Sequence, residues 1–81
     1  MTISELAGAL REVNLTLERA RATTRSAVPL LAESRATLVA VRRDPNGYDP
    51  VELDHAMAQL STAGELIAAA RQSILDYLLR L

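Results

Sequence analysis

Apolar and polar residues alternate along the chain with a period of about 3.5 residues, which indicates helices that pack along a seam. In the first half of the chain, this seam is carried through about five heptads by alternating steps of four and three residues. Its members are Leu6, Leu10, Val13, Leu17, Ala20, Thr24, Ala27, Leu31, Ser34, Leu38 and Val41. The pattern predicts a long helix over residues 3–43.

The start and the middle of this helix carry two local signals. Thr2 and Glu5 have the spacing of a capping box, in which each side chain bonds to the backbone amide of the other residue. Pro29 allows two interpretations: one long helix kinked near Arg25, or two helices with Ser26 as the second N-cap, which would make a three-helix bundle. Because the heptad phase is unchanged across Pro29, the kinked single helix is favoured.

A second helix is predicted over residues 50–80, after a turn at residues 44–49. Asp49 has the position of an N-cap, Pro50 that of the first helical residue, and Glu52 would complete a capping box. Large apolar residues recur every seven positions and alternate with mostly small ones. This second seam consists of Leu53, Ala56, Leu60, Ala63, Ile67, Ala70, Ile74, Tyr77 and Leu81.

Together these elements predict an all-α fold, an antiparallel helical hairpin with a six-residue connection. Both helices carry more apolar residues than one contact stripe can cover, so we expect two copies to form a four-helix bundle, or one copy to dock on another helical protein. The residues expected to form this interface are Leu10, Leu17, Leu31, Leu38, Leu53, Leu60, Ile67, Ile74 and Leu78.

Composition narrows the classes of function. The chain has 81 residues, no cysteine, two tyrosines as its only aromatic residues and a net charge of −1, so we expect neither disulfides nor strong attraction to nucleic acid. All nine basic residues are arginines. No apolar run reaches the roughly 18 residues of a membrane span, and the first ten residues do not resemble a signal peptide. A cytoplasmic location is expected, with leaderless secretion left open.

Candidate chemical sites are few. The stretch Asp44–His55 resembles a calcium loop, but its sixth and twelfth places hold Asp49 and His55 instead of glycine and glutamate. Glu52 and His55 have the Glu-x-x-His spacing of di-iron bundles but lie off the second seam. His55 is the only histidine, and no nucleophile with a base is evident. We therefore expect no enzyme activity, no metal, no cofactor and no small-molecule ligand.

The hairpin layout and the Ala/Arg-rich composition resemble the Trp-x-Gly family of small type VII secretion substrates, which are common in actinobacteria. That resemblance implies a four-helix dimer and export. The family motif in the bend is replaced by Asn46-Gly47-Tyr48, and the export tyrosine lacks its acidic partner because Leu81 follows Tyr77. The C-terminal pattern IAAARQSILDYLLRL also resembles small helical proteins found with polymorphic toxins.

Three functional hypotheses follow. The first is a non-catalytic module for helix-mediated protein–protein interaction. The second is a secreted or toxin-associated accessory protein of the type VII kind. The third is an arginine-based regulator that binds nucleic acid through Arg19, Arg21 and Arg25, and it is the weakest because Glu12, Glu18 and Glu33 are interspersed and no aromatic residues accompany the arginines.

Overall fold

The protein is a two-helix antiparallel hairpin in the computed structural model, which describes residues 1–41 and 49–81. Helix α1 spans Ile3–Val41 and helix α2 spans Val51–Arg80. The two helices pack against each other in a rod with Cα extents of 64 × 16 × 14 Å. The predicted all-α hairpin is confirmed. Residues 42–43 of the predicted first helix and most of the predicted turn lie outside the described residues.

The N-terminus of α1 has the cap that its sequence predicts. The Glu5 backbone amide donates to the Thr2 hydroxyl oxygen over 3.0 Å, and the Leu6 amide donates to the Thr2 carbonyl over 3.0 Å. The first bond satisfies one of the four amides that a helix leaves free at its start, and the second is the first bond of the helix itself. The Thr2 half of the predicted capping box is therefore confirmed.

Helix α1 is continuous through Pro29. Proline has no amide hydrogen, so the Arg25 carbonyl loses its bond to residue 29, a cost that interior prolines normally impose on helices. The packing of α1 against α2 on both sides of Pro29 offsets this local loss. The structure thus has one first helix, and the alternative three-helix bundle is wrong.

The predicted cap of α2 is wrong. Pro50 is the N-cap, with φ −78° and ψ 52°, and no side chain makes a capping hydrogen bond. These angles close an inverse γ-turn, in which the Val51 amide donates to the Asp49 carbonyl over 2.8 Å. The backbone of Asp49 thus takes the place expected for its side chain. Pro50 is fully buried, and α2 begins at Val51 rather than at residue 50.

The level of one helix against the other is fixed by contacts along the rod. Thr24 lies beside Gly64, and Arg35 bonds to Asp54. Two residues that lie at the same height along the rod, one on each helix, are called level here. Their residue numbers add to about 88. The contact is thin, because within the described residues only Ala7 and Pro50 are classed as buried.

Candidate interaction surfaces

The residues through which α1 and α2 face each other form one stripe on each helix, called here the seam. Every seam residue is buried or half-buried. On α1 the seam is Ala7, Leu10, Asn14, Leu17, Arg21, Thr24, Val28, Leu31 and Arg35, and on α2 it is Leu53, Met57, Leu60, Gly64, Ile67, Arg71, Ile74 and Leu78.

The sequence-predicted seams are right for one half of their positions and wrong for much of the other half. Leu10, Leu17, Thr24 and Leu31 occupy the α1 seam as expected. Of the alternate α1 positions, Leu6 and Ala27 stay half-buried, whereas the others are rotated away: Val13 is 48% exposed and Val41 is 66% exposed. The same one-residue rotation exposes two alternate positions of α2, Ala70 and Tyr77.

The nine residues expected to bind a partner lie at the α1–α2 contact or beside it. Eight of them are half-buried there, and Leu38 is 37% exposed at the end near the bend. These side chains already hold the hairpin together. Their direct contact with a partner stays a prediction.

Arg71 joins the two helices in the distal half of the rod. Its Nε–H donates to the Asn14 side-chain oxygen over 3.0 Å, and its Nη2 lies 3.9 Å from a Glu18 carboxylate oxygen. The Arg71 side chain is 24% exposed, so this bond is partly shielded from water. A charged donor on a neutral acceptor at this depth specifies how the helices align.

Arg35 and Asp54 make a second bridge near the bend. Arg35 Nε–H donates to one carboxylate oxygen of Asp54 over 2.5 Å, and Nη2 donates to the other over 3.4 Å. The hydrogen bond to Asp54, then its charge, raises the pKa of Arg35 above its ordinary value, with a smaller rise from Asp49. Both side chains are more than two-fifths exposed, so the pair aligns the helices more than it stabilises them.

Sequence reasoning did not assign Arg35, Asp54 and Arg71 to the contact between the helices. The available signal was their numbering: Arg35 with Asp54 and Glu18 with Arg71 are level pairs of opposite charge in an antiparallel hairpin with this connection. Thr24, considered as a possible register-setting residue, donates to the Ala20 carbonyl of its own helix over 2.8 Å. Its polar group is satisfied locally and takes no part in aligning α2.

The hairpin has two broad faces, one on each side of the seam. A residue directly before a seam residue is rotated by about 100° to one side, and a residue directly after it by about 100° to the other. Because α1 and α2 are antiparallel and face each other, the same offset leads to the same side of the hairpin. Residues that precede seam residues therefore share one face, and residues that follow them share the other.

The first of these is called here the uncharged face. Within the described residues its one charged member is Glu52, at the start of α2, although 23% of the chain is charged. Three of its large apolar side chains are well exposed: Leu30 by 63%, Leu66 by 66% and Val13 by 48%. The face consists of Leu6, Ala9, Val13, Thr16, Ala20, Thr23, Ala27, Leu30 and Ser34 from α1, with Thr37 and Val41 continuing the same stripe beyond the seam, and of Glu52, Ala56, Gln59, Ala63, Leu66, Ala70, Ser73 and Tyr77 from α2.

The second is called here the mixed-charge face, and it interleaves apolar residues with both signs of charge. Leu79, at 87% exposure, and Leu15, at 51%, are its most exposed large apolar residues. The face consists of Gly8, Arg11, Leu15, Glu18, Ala22, Arg25, Pro29, Ala32 and Ala36 from α1, and of Asp54, Ala58, Ser61, Glu65, Ala68, Gln72, Leu75 and Leu79 from α2.

A groove of about 360 Å³ opens on the mixed-charge face at mid-rod. Its apolar part comes from Val28, Pro29 and Leu60, where the absence of a side chain at Gly64 adds depth. Arg25 and Glu65 are on its lining with opposite charges. This lining has both signs of charge and is open along one side, so it selects no single class of ligand.

The remaining chemical candidates stay on the surface. Glu52 and His55 are both exposed on the first turns of α2. Within the described residues, no three acidic or histidine side chains are grouped to hold a metal ion. Over the same two ranges, neither helix is long and apolar enough to cross a bilayer.

No protein-family model, no curated protein and no solved structure matches the chain. The two faces and the groove between the helices are the surfaces from which a function can be argued.

Proposed function

We propose that the protein is a non-catalytic module for helix-mediated interaction, which associates with itself or with another helical protein. One observation carries this proposal: the hairpin leaves large apolar side chains exposed along its whole length, from Leu79 at 87% at the end away from the bend, through Leu30 at 63%, to Val41 at 66% near the bend. Within the described residues, only Ala7 and Pro50 are buried in return. So many exposed large apolar side chains on a small protein usually mark an interface.

Size supports the same proposal. An 81-residue chain buries a smaller share of its surface than a large domain does, and an elongated two-helix rod buries less still. Proteins of this size commonly gain the missing stability from association. A helical partner is favoured because the exposed apolar residues recur along straight helices, which another helix can follow over several turns.

The proposal is tested by the concentration dependence of folding. For a module that needs a partner, helicity and the melting temperature of the purified chain should rise with protein concentration, or on addition of a helical partner. Circular dichroism melts over a hundredfold range of concentration measure this directly. A chain that melts cooperatively at one temperature throughout, and whose mass stays 8.8 kDa, would speak against self-association. If no helical partner shifted its melting either, the module proposal would fail.

A second candidate function is that of an exported accessory protein of the type VII kind. The two-helix hairpin is the observation that favours it, because the resemblance noted in the sequence implies this layout. The chain contains no tryptophan, so the family motif is missing. This alternative differs from a cytoplasmic role in one measurable respect, which is export. A tagged chain found outside host cells, and retained when the type VII machinery is deleted, would support it.

A further inference from the structure

We infer that the uncharged face is the interface of a symmetric homodimer, in which α1 of one copy packs on α2 of the other. The inference rests on the proposed interaction function and names its partner, a second copy of this chain. That face is composed of Ala, Thr, Ser, Val and Leu with one Gln and one Tyr, and its single charged residue, Glu52, lies at its bend end. Small side chains let helix axes approach closely, and the lack of charge between the two ends of the face avoids the cost of desolvating ions there.

The area of the face suits a stable dimer. Helix α2 has 30 residues, which at 1.5 Å per residue gives a length of about 45 Å. The rod is 16 Å wide across its Cα atoms. Such a face covers about 700 Å², so two copies would bury about 1,400 Å² in total, within the range of specific protein–protein interfaces.

The face is also complementary to itself in shape. A two-fold axis parallel to the helices places α1 of one copy over α2 of the other at the same level along the rod. Leu66 would then lie over the small residues Ala20 and Thr23 of the second copy, because 66 and 22 are level positions. By the same rule, Leu30 would lie between Ala56 and Gln59, and Tyr77 between Ala9 and Val13. Each of these large side chains meets at least one small one, which favours interlocking packing.

The mixed-charge face is a poorer candidate for the same contact. Arg25, Glu65 and Arg11 would have to be desolvated or paired across a two-fold axis. Asp54 and Glu18 already contact arginines of the seam. The apolar residues of this face are interrupted by these charges, whereas those of the uncharged face are interrupted only by neutral side chains such as Thr16, Thr23 and Gln59.

The test compares two alanines that differ only in the face on which they lie. Ala20 and Ala22 are both exposed positions in the middle of α1, the first on the uncharged face and the second on the mixed-charge face. The native chain should sediment at twice 8.8 kDa. Ala20→Glu should weaken dimerisation by about 100-fold or more, because each dimer would bury two unpaired carboxylates, whereas Ala22→Glu should change it by less than about threefold.

A second variant guards against loss of folding in the first. Leu66→Arg, at the other side of the proposed contact, should also dissociate the homodimer. An equimolar mixture of Ala20→Glu and Leu66→Arg chains should then recover a dimer at least about tenfold tighter than either variant alone, since one contact pairs opposite charges and the other is native. Sedimentation velocity on each chain and on the mixture gives all of these values.

The outcomes separate the inference from the proposed function. A native chain that is a monomer at high concentration would overturn the homodimer and leave association with a different helical protein standing. A native dimer that Ala22→Glu dissociates and Ala20→Glu does not would overturn the choice of face while self-association stands. A mixture with no recovery would overturn the pairing of α1 with α2 of the second copy.

Discussion

The two faces of the hairpin expose similar large apolar side chains but differ in everything around them. Leu66 on the uncharged face is 66% exposed, and Leu15 on the mixed-charge face is 51% exposed. Around Leu66 the neighbours on its face are small and neutral, whereas Leu15 lies between Arg11 and Glu18. An exposed leucine is ordinary on a protein surface; an uncharged strip two helices wide is not. The comparison teaches that the spacing of charges, more than the count of apolar residues, distinguishes an interface from a solvated surface.

The charges of the mixed-charge face also have a role within the hairpin. Its acids Glu18 and Asp54 contact the seam arginines Arg71 and Arg35, so its charges help to align the two helices. The uncharged face has no such internal task. We expect substitutions on the two faces to change different quantities: alignment and stability of the hairpin on one, association on the other.

The largest expected effect separates the seam from the uncharged face at two adjacent residues. Ile67 is half-buried in the seam, and Leu66 is well exposed beside it. Ile67→Glu should destabilise the hairpin by about 3 kcal/mol or more, because it removes apolar contacts and places a charge between the helices. Urea unfolding followed by circular dichroism measures the change.

Leu66→Glu is the matched control for Ile67→Glu. It has the same new side chain in the same turn of α2, so any effect of helix propensity is shared. It should lower association while retaining helicity at high protein concentration. Equal loss of helicity in both variants would contradict the assignment of Ile67 to the seam and Leu66 to a face.

A large effect of opposite sign is expected at Pro29, which lies on the mixed-charge face inside α1. Pro29→Ala restores an amide that can donate to the Arg25 carbonyl, and it removes a residue that disfavours helix interiors by about 3 kcal/mol relative to alanine. We expect stabilisation by about 1 to 3 kcal/mol, measured as a higher urea midpoint. The mass in solution should not change, because the substitution leaves the uncharged face intact.

A lower urea midpoint for Pro29→Ala would show that the proline sets a bend on which the contact with α2 depends. Ala32→Pro offers the reverse comparison three residues further along the same face. It should destabilise the hairpin strongly, because it removes a second helical hydrogen bond from α1 only three residues after Pro29.

Much of this fold was predictable from the sequence because its local signals agree with its packing. The heptad phase continues through Pro29, and this continuity correctly predicted one long first helix. The cap at Thr2 followed from its spacing to Glu5. The cap at Asp49 did not, because the choice between a side-chain and a backbone acceptor depends on the angles that Pro50 adopts in the folded chain.

The rotation of the seam was not predictable from apolar spacing alone. Leu10, Leu17 and Leu31 have an apolar or small neighbour stripe on each side, so the pattern fits two rotations of α1 equally well. Packing selects the rotation that brings Asn14 to Arg71 and Arg35 to Asp54. Those are contacts between distant parts of the chain, and only the level of one helix against the other reveals them. The stripe left over on the far side is the one that forms the uncharged face.

A moderate effect is expected for the bridge at Arg71. Arg71→Ala removes the donor to Asn14 and leaves a partly buried side-chain oxygen without its partner, which should cost about 1 to 2 kcal/mol. The double-mutant cycle with Asn14→Ala, read from urea unfolding, isolates the pairwise contribution. Arg19→Ala, at an exposed position of α1, is the control for loss of an arginine side chain. If the two changes in the free energy of unfolding were additive, the bond between Arg71 and Asn14 would not help to align the helices.

The smallest effect is expected at the glycine that gives the mid-rod groove its depth. A Cβ at Gly64 would lie 3.9 Å from the Thr24 methyl group, an ordinary van der Waals distance, and a Cβ at Gly8 would meet nothing within 4 Å. Replacement of either helical glycine by alanine should therefore stabilise the hairpin by about 1 kcal/mol. Gly8→Ala reports the change in helix propensity alone. Any excess for Gly64→Ala in the urea midpoint measures the added contact across the seam. Because the groove opens on the mixed-charge face, dimer affinity should stay the same in both variants. A Gly64→Ala chain that dimerises less well than Gly8→Ala would instead place the groove at the dimer interface. The mixed-charge face would then take part in association as well.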